Sequence, residues 1–107
     1  VTPAEVAAVY ERAAGEIERR GGIHKRGYGD DLEHPDTCRV CLVGALNAAL
    51  GHSPFRHYPL PREVLDPIRG ALAMHLDDWN DAPERTTDDV TRLLRRLAQQ
   101  LAEGSTT

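Results

Sequence analysis

Apolar positions recur at helical spacing in four separate runs along the chain, divided by polar segments rich in glycine and proline. The first run is Val6, Val9, Tyr10, Ala13, Ala14 and Ile17, one face of a helix. Thr2 before Pro3, with Glu5 three residues on, predicts where that helix begins: a capping hydroxyl, a proline at the first helical position and a capping-box glutamate. Gly21-Gly22 predicts its end in a left-handed cap. Asp36 or Thr37 is expected to cap a second helix running to about Leu50 and stopped by Gly51. Its apolar side would comprise Cys41, Leu42, Val43, Ala45, Leu46, Ala49 and Leu50.

A third helical stretch opens at Arg62, and Asp66-Pro67 predicts a restart there, with Ile68, Ala71, Leu72 and then His75 or Leu76 continuing the stripe. Val90, Leu93, Leu94, Leu97 and Leu101 form the last stripe, opened by a Thr86/Asp89 capping box. Between the runs, residues 23–35 and 52–61 read as irregular segments, and "DDWNDAPERTTDDV" (residues 77–90) reads as a further connector. Alternating strand patterns and internal repeats are missing. The pattern predicts an all-α protein, a compact four- to five-helix bundle with two irregular connecting segments. A single domain over residues 1–103 with a frayed tail at 104–107 is expected.

Composition sharpens this picture. Aromatic residues make up 5% of the chain, so Leu, Ala and Val must fill the interior, which favours helices over sheets. The net charge of −4 disfavours nucleic acid as a partner. No apolar run approaches the roughly twenty residues needed to span a bilayer, and the opening residues carry no signal-peptide pattern. A cytoplasmic location is expected, where a structural disulfide would be out of place.

The chemistry-bearing residues gather in "HPDTCRVCLVGALNAALG" (residues 34–51) and around Trp79. His34, Cys38 and Cys41 form an H-x3-C-x2-C spacing, with the fourth ligand of a tetrahedral zinc site open among His24, His52 and His57, although zinc is open here rather than favoured because a second close ligand pair is missing. A nucleophile reading places Cys38 in the first turn of the second helix, in the positive end of its dipole, with Cys41 one turn deeper. Against both stands burial of the cysteines as small apolar residues. Trp79-Asn80-Asp81 would stack on and orient a ligand, or else plug the bundle end and form a turn. The acidic pairs Asp77-Asp78 and Asp88-Asp89 read as solvated or dipole-complementing rather than cation-binding.

"CLVGA" (Cys41 to Ala45) and "WNDAPERTTDDV" (Trp79 to Val90) resemble a family of small bacterial and phage proteins of unknown function, and the likeness spans about Ala4 to Ala98. Its members carry a first helix ending near G-W-C, a central C-x-x-G-A, and W-N-D-x-x-x-R-T-x-x-D-V before a final helix. This chain departs from that pattern with Ile23 and His24 after the first helix, and Cys38 lies outside it. The resemblance implies that, if the family's first cysteine pairs with Cys41, His24 retains the capacity to ligate metal but not to form a disulfide. It implies no activity.

The leading functional expectation is therefore a small accessory or interaction protein that binds a protein partner or a small ligand, with association into a homo-oligomer left open. The alternative is a small enzyme or metal-dependent module. Its catalytic candidates are Cys41, His24, Asn80 and Asp81, its ligand-binding candidates Trp79 and Tyr28, and its metal candidates His34, Cys38, Cys41 and His24.

Overall fold

The computed structural model describes residues 2–25, 33–34, 36–53 and 60–104, and among them the chain forms five helices and one isolated bridge. α1 (Pro3–Arg19) begins as its sequence demands: the Thr2 hydroxyl accepts a hydrogen bond from the Glu5 N–H at 3.1 Å, with Pro3 in the first turn. Its face of Val6, Val9, Tyr10, Ala13, Ala14 and Ile17 is buried along its length. At its end Gly21 N–H donates to Glu18 C=O and Gly22 N–H to Ile17 C=O, with Gly21 at φ 86°, the paired bonds of a Schellman cap. α2 (Leu42–Ala49) ends in the same way, with Gly51 at φ 86° and His52 N–H on Asn47 C=O.

α5 (Thr87–Gly104) lies against α1 with the opposite direction. Its start meets the segment after α1, where Ile23 N–H donates to Thr87 Oγ1 at 3.2 Å, and further along Arg95 reaches back to Glu18 at 2.9 Å. Val90, Leu93, Leu94, Leu97 and Ala98 close the core over the buried face of α1. The Thr86/Asp89 capping box forms in both directions, Thr86 N–H to Asp89 Oδ2 at 3.0 Å and Asp89 N–H to Thr86 Oγ1 at 3.1 Å.

Three expectations are corrected. The second helix is capped not by Asp36 or Thr37 but by Cys41, and it starts at Leu42. Thr37 N–H and Cys38 N–H both donate to the His34 carbonyl, and Val40 pairs with Ile23 in a parallel bridge, so a tertiary contact claims the backbone that a longer helix would have used. Helix α3 (Arg62–Leu72) runs through Pro67 without restarting. Val64 and Ile68, one turn apart and both buried, hold it across the hydrogen bond the proline cannot make, and the Tyr10 hydroxyl donates to the Val64 carbonyl. Finally, α4 (Leu76–Asp81) is a short helix where a connector was expected, anchored by the buried Leu76 and Asn80. Of the frayed tail expected at 104–107, Gly104 is the last residue of α5 and residues 105–107 lie outside the described residues. Among the described residues no helix is long and apolar enough to cross a membrane.

Candidate functional site

The end of α1, the start of α2, α4 and the start of α5 converge on one junction, and Asn80 is its centre. Its side chain is 1% exposed. The amide oxygen accepts from Leu42 N–H at 3.0 Å, and the amide nitrogen donates to His24 C=O at 2.9 Å and to Asp81 Oδ1 at 3.1 Å. Leu42 opens α2, so its N–H belongs to the group that no helix can satisfy internally. Cys41 satisfies the next ones. It is the N-cap residue of α2, and its sulfur accepts from Gly44 N–H at 3.3 Å and from Val43 N–H. The buried start of α2 is thereby accounted for donor by donor.

Geometry and electrostatics together set the chemistry of Cys41. The thiol is 4% exposed. Burial pushes it up to about 11; the Gly44 and Val43 N–H groups work the other way, and the carboxylates of Asp77 and Asp81 add to the rise. A helix N-terminus alone would have favoured thiolate, but here desolvation outweighs it. Both cysteines are also displaced from the expected register: Cys41 is at the cap rather than one turn in, and Cys38 lies before the helix rather than in its first turn. Cys38 is buried beside the Arg20 guanidinium, which donates to the Cys38 carbonyl at 3.0 Å and lies 3.8 Å from its sulfur. Arg20 is itself held by Glu16 at 2.9 Å. Partial burial of Glu16 acts to raise its pKa, but hydrogen bonds from Arg20 and Arg19 hold its carboxyl below the usual range.

The structure thus brings four predicted residues together, Cys41, His24, Asn80 and Asp81, largely through backbone bonds. His24 is fixed by its own N–H on Val40 C=O at 2.9 Å and by its carbonyl on Asn80. Its imidazole makes no hydrogen bond with the described residues. His34 is exposed and serves the turn through its carbonyl. Among the described residues no group of three or more His, Cys, Asp or Glu side chains is placed to hold a metal ion. Neither cysteine is in a disulfide. Tyr28 and His57 lie outside the described residues.

Two partners of the junction are missed by motif reasoning. Thr87 Oγ1 receives Ile23 N–H, and a side chain at Gly22, where φ is 125°, would place its Cβ 2.9 Å from that same oxygen. Lys25 Nζ donates to Ala82 C=O at 2.7 Å, tying the segment after α1 to the α4–α5 connection. A paired glycine was the available signal for the first, and nothing local signals the second.

Trp79 points elsewhere. It is half-buried, with the Arg85 guanidinium 4.1 Å above its ring centroid and Arg85 Nε donating to its carbonyl at 2.9 Å. It walls a surface pocket of about 350 Å³, with Leu72 on one side and Arg92, Leu93 and Arg96 of α5 on the other.

Fold and junction define a small all-α protein in which a short helix, α4, ties the start of α2 to the segment after α1, and that segment bonds directly to the start of α5. The chain belongs to the family of unknown function DUF6197, whose match covers residues 1–100. Comparison with curated proteins and with solved structures gave no match.

Proposed function

We propose that the protein is a helical binding module that recognises a partner or small ligand at its surface, with the Cys41 junction as framework rather than reaction centre. The observation carrying this is the state of Cys41: a buried N-cap whose thiol is held neutral near physiological pH and whose acceptor capacity is given to backbone N–H groups. A nucleophilic cysteine needs the opposite, an accessible and acidified thiol beside a base. Asn80 supports the same reading, since its amide is committed to two backbone groups and a neighbouring carboxylate. Two buried thiols outside any disulfide fit a reducing, cytoplasmic setting.

Alkylation tests this reading. With iodoacetamide at pH 7 and peptide mapping by mass spectrometry, Cys41 should react more slowly than glutathione under the same conditions. Reaction at Cys41 faster than glutathione, already at pH 6, would overturn it.

A further inference from the structure

Several of the described arginines have ion-pair partners. Arg19 and Arg20 pair with Glu16, Arg62 with Asp66, and Arg95 with Glu11 and Glu18. Arg92 and Arg96 do not: neither has an ion-pair partner among the described residues, although the chain holds 17 acidic residues against 13 basic ones. They stand four apart on α5, where like charges destabilise a helix, so helix stability does not explain the pair. Both line the pocket beside Trp79. Asp89, the one carboxylate in that wall, is turned to the start of α5, where its oxygen caps Thr86 N–H at 3.0 Å. Arg85 completes the pocket, fixed at two points by Trp79. Three arginines therefore line one shared space against a single carboxylate, Asp89, which caps the helix start and also offsets part of the charge of Arg85 and Arg92.

We propose that this pocket between α3, α4 and α5 binds a small organic oxyanion, a carboxylate or a phosphate monoester, with Arg92 and Arg96 holding the charged group and Trp79, Leu72 and Leu93 contacting its apolar body. Guanidinium forks match carboxylate and phosphate oxygens in bidentate geometry. A volume of about 350 Å³ suits a ligand of one ring and one charged group and is at the small end of natural ligand pockets. The net charge of −4 repels extended polyanions at long range while leaving this local inversion of sign for a compact anion. The proposal goes beyond the binding-module reading by fixing a place and a ligand chemistry.

Trp79 is the single tryptophan, so its emission reports on the pocket directly. Inorganic phosphate, phenyl phosphate and benzoate are titrated at constant ionic strength with sodium chloride as reference, and heats are recorded in parallel by calorimetry. A saturable response to at least one aryl probe is expected, with a dissociation constant below about 1 mM. Preference for phenyl phosphate over benzoate assigns a phosphate ligand, and the reverse a carboxylate. Arg92→Gln and Arg96→Gln should each weaken binding about tenfold or more. Their melting temperatures should not fall, because both side chains are exposed and each change relieves a like-charge pair. Absence of both emission change and heat for all three probes overturns the proposal, as does undiminished affinity in the double variant. Such a failure beside slow alkylation of Cys41 would remove this site and leave the earlier reading standing.

Discussion

Asn80→Ala is the sharpest probe of the junction. The substitution removes the partner of two backbone groups, Leu42 N–H in a fully buried residue and His24 C=O in a half-buried one. A buried donor or acceptor left unsatisfied costs about 1–3 kcal/mol, with the His24 carbonyl at the low end because water can reach it. The sum is about 2–4 kcal/mol, a large part of the roughly 5–15 kcal/mol that holds a domain folded. For a chain of this size it corresponds to a fall in melting temperature of about 10–25 °C. Asn80→Asp separates the two bonds. The carboxylate keeps the acceptor for Leu42 N–H but cannot donate to His24, and it sits next to Asp81 in a buried position. Its folded-state pKa must then lie above its unfolded value. Protonation restores the missing donor, so relative to wild type the variant is least damaged below the unfolded aspartate pKa of about 4 and loses stability as pH rises through the folded value. Urea denaturation followed by circular dichroism at pH 4.5 and pH 7.5, with wild type measured at each, gives both numbers. An Asn80→Ala cost below about 0.5 kcal/mol, or an Asn80→Asp penalty independent of pH, would refute the reasoning.

Four further outcomes follow from single positions. Cys41→Ser should hold the fold to within about 0.5 kcal/mol because serine is a stronger N-cap acceptor, whereas Cys41→Ala should be about 1 kcal/mol less stable than the serine variant; equal stabilities would mean the sulfur is not capping. Cys41 is raised in the folded state from 9.0 to about 11, so the stability it contributes is full below pH 9 and lost as pH climbs towards 11, and Tyr10, raised by burial and by Asp66, adds to that loss. Alkaline titration of wild type against Cys41→Ser should show the serine variant less sensitive over that interval. Asn47→Ala should stabilise by about 1 kcal/mol, since its buried amide oxygen has no hydrogen-bond partner among the described residues and alanine is the better helix former; a measured loss would show that the amide is satisfied in solution. Ala73→Gly should raise stability by about 0.5–1 kcal/mol in thermal melts, because Ala73 ends α3 at φ 54°, where glycine carries no Cβ penalty.

Sequence pattern and structure agree wherever the signal is local. The α1 face, its Thr2 start and its glycine end, and the Thr86/Asp89 box are all set by residues within four positions of one another. The failures are of another kind. Asp36 and Thr37 have the chemistry of helix caps, but the backbone at Val40 is taken by Ile23, which lies far off in sequence. Pro67 has the chemistry of a helix start, yet Val64 and Ile68 gain more by staying on one buried stripe than the proline costs. α4 is six residues long, too short to show a period, and it exists because Leu76 and Asn80 reach the core and the α2 start. The catalytic candidates share the pattern of that last case. Spacing brings Cys41, His24, Asn80 and Asp81 to notice, and only the hydrogen bonds reveal that three of them serve backbone groups.

That division gives the Trp79-to-Val90 stretch a two-sided logic. Asn80 faces inward to the junction, Val90 enters the core, and Thr86 with Asp89 closes the start of α5; Trp79 and Arg85, interleaved with them, face the pocket. Successive residues on a helix point about 100° apart, so Trp79 and Asn80 cannot share a surface, and fixing one orients the other. The pocket is consequently only as well formed as the junction behind it. Asn80→Ala, which touches no pocket residue except through α4, should lower oxyanion affinity together with stability, while Arg92→Gln should lower affinity alone. Loss of binding without loss of stability in Asn80→Ala would contradict this coupling, because α4 would then be positioned by something other than the bonds of Asn80 to Leu42 and His24.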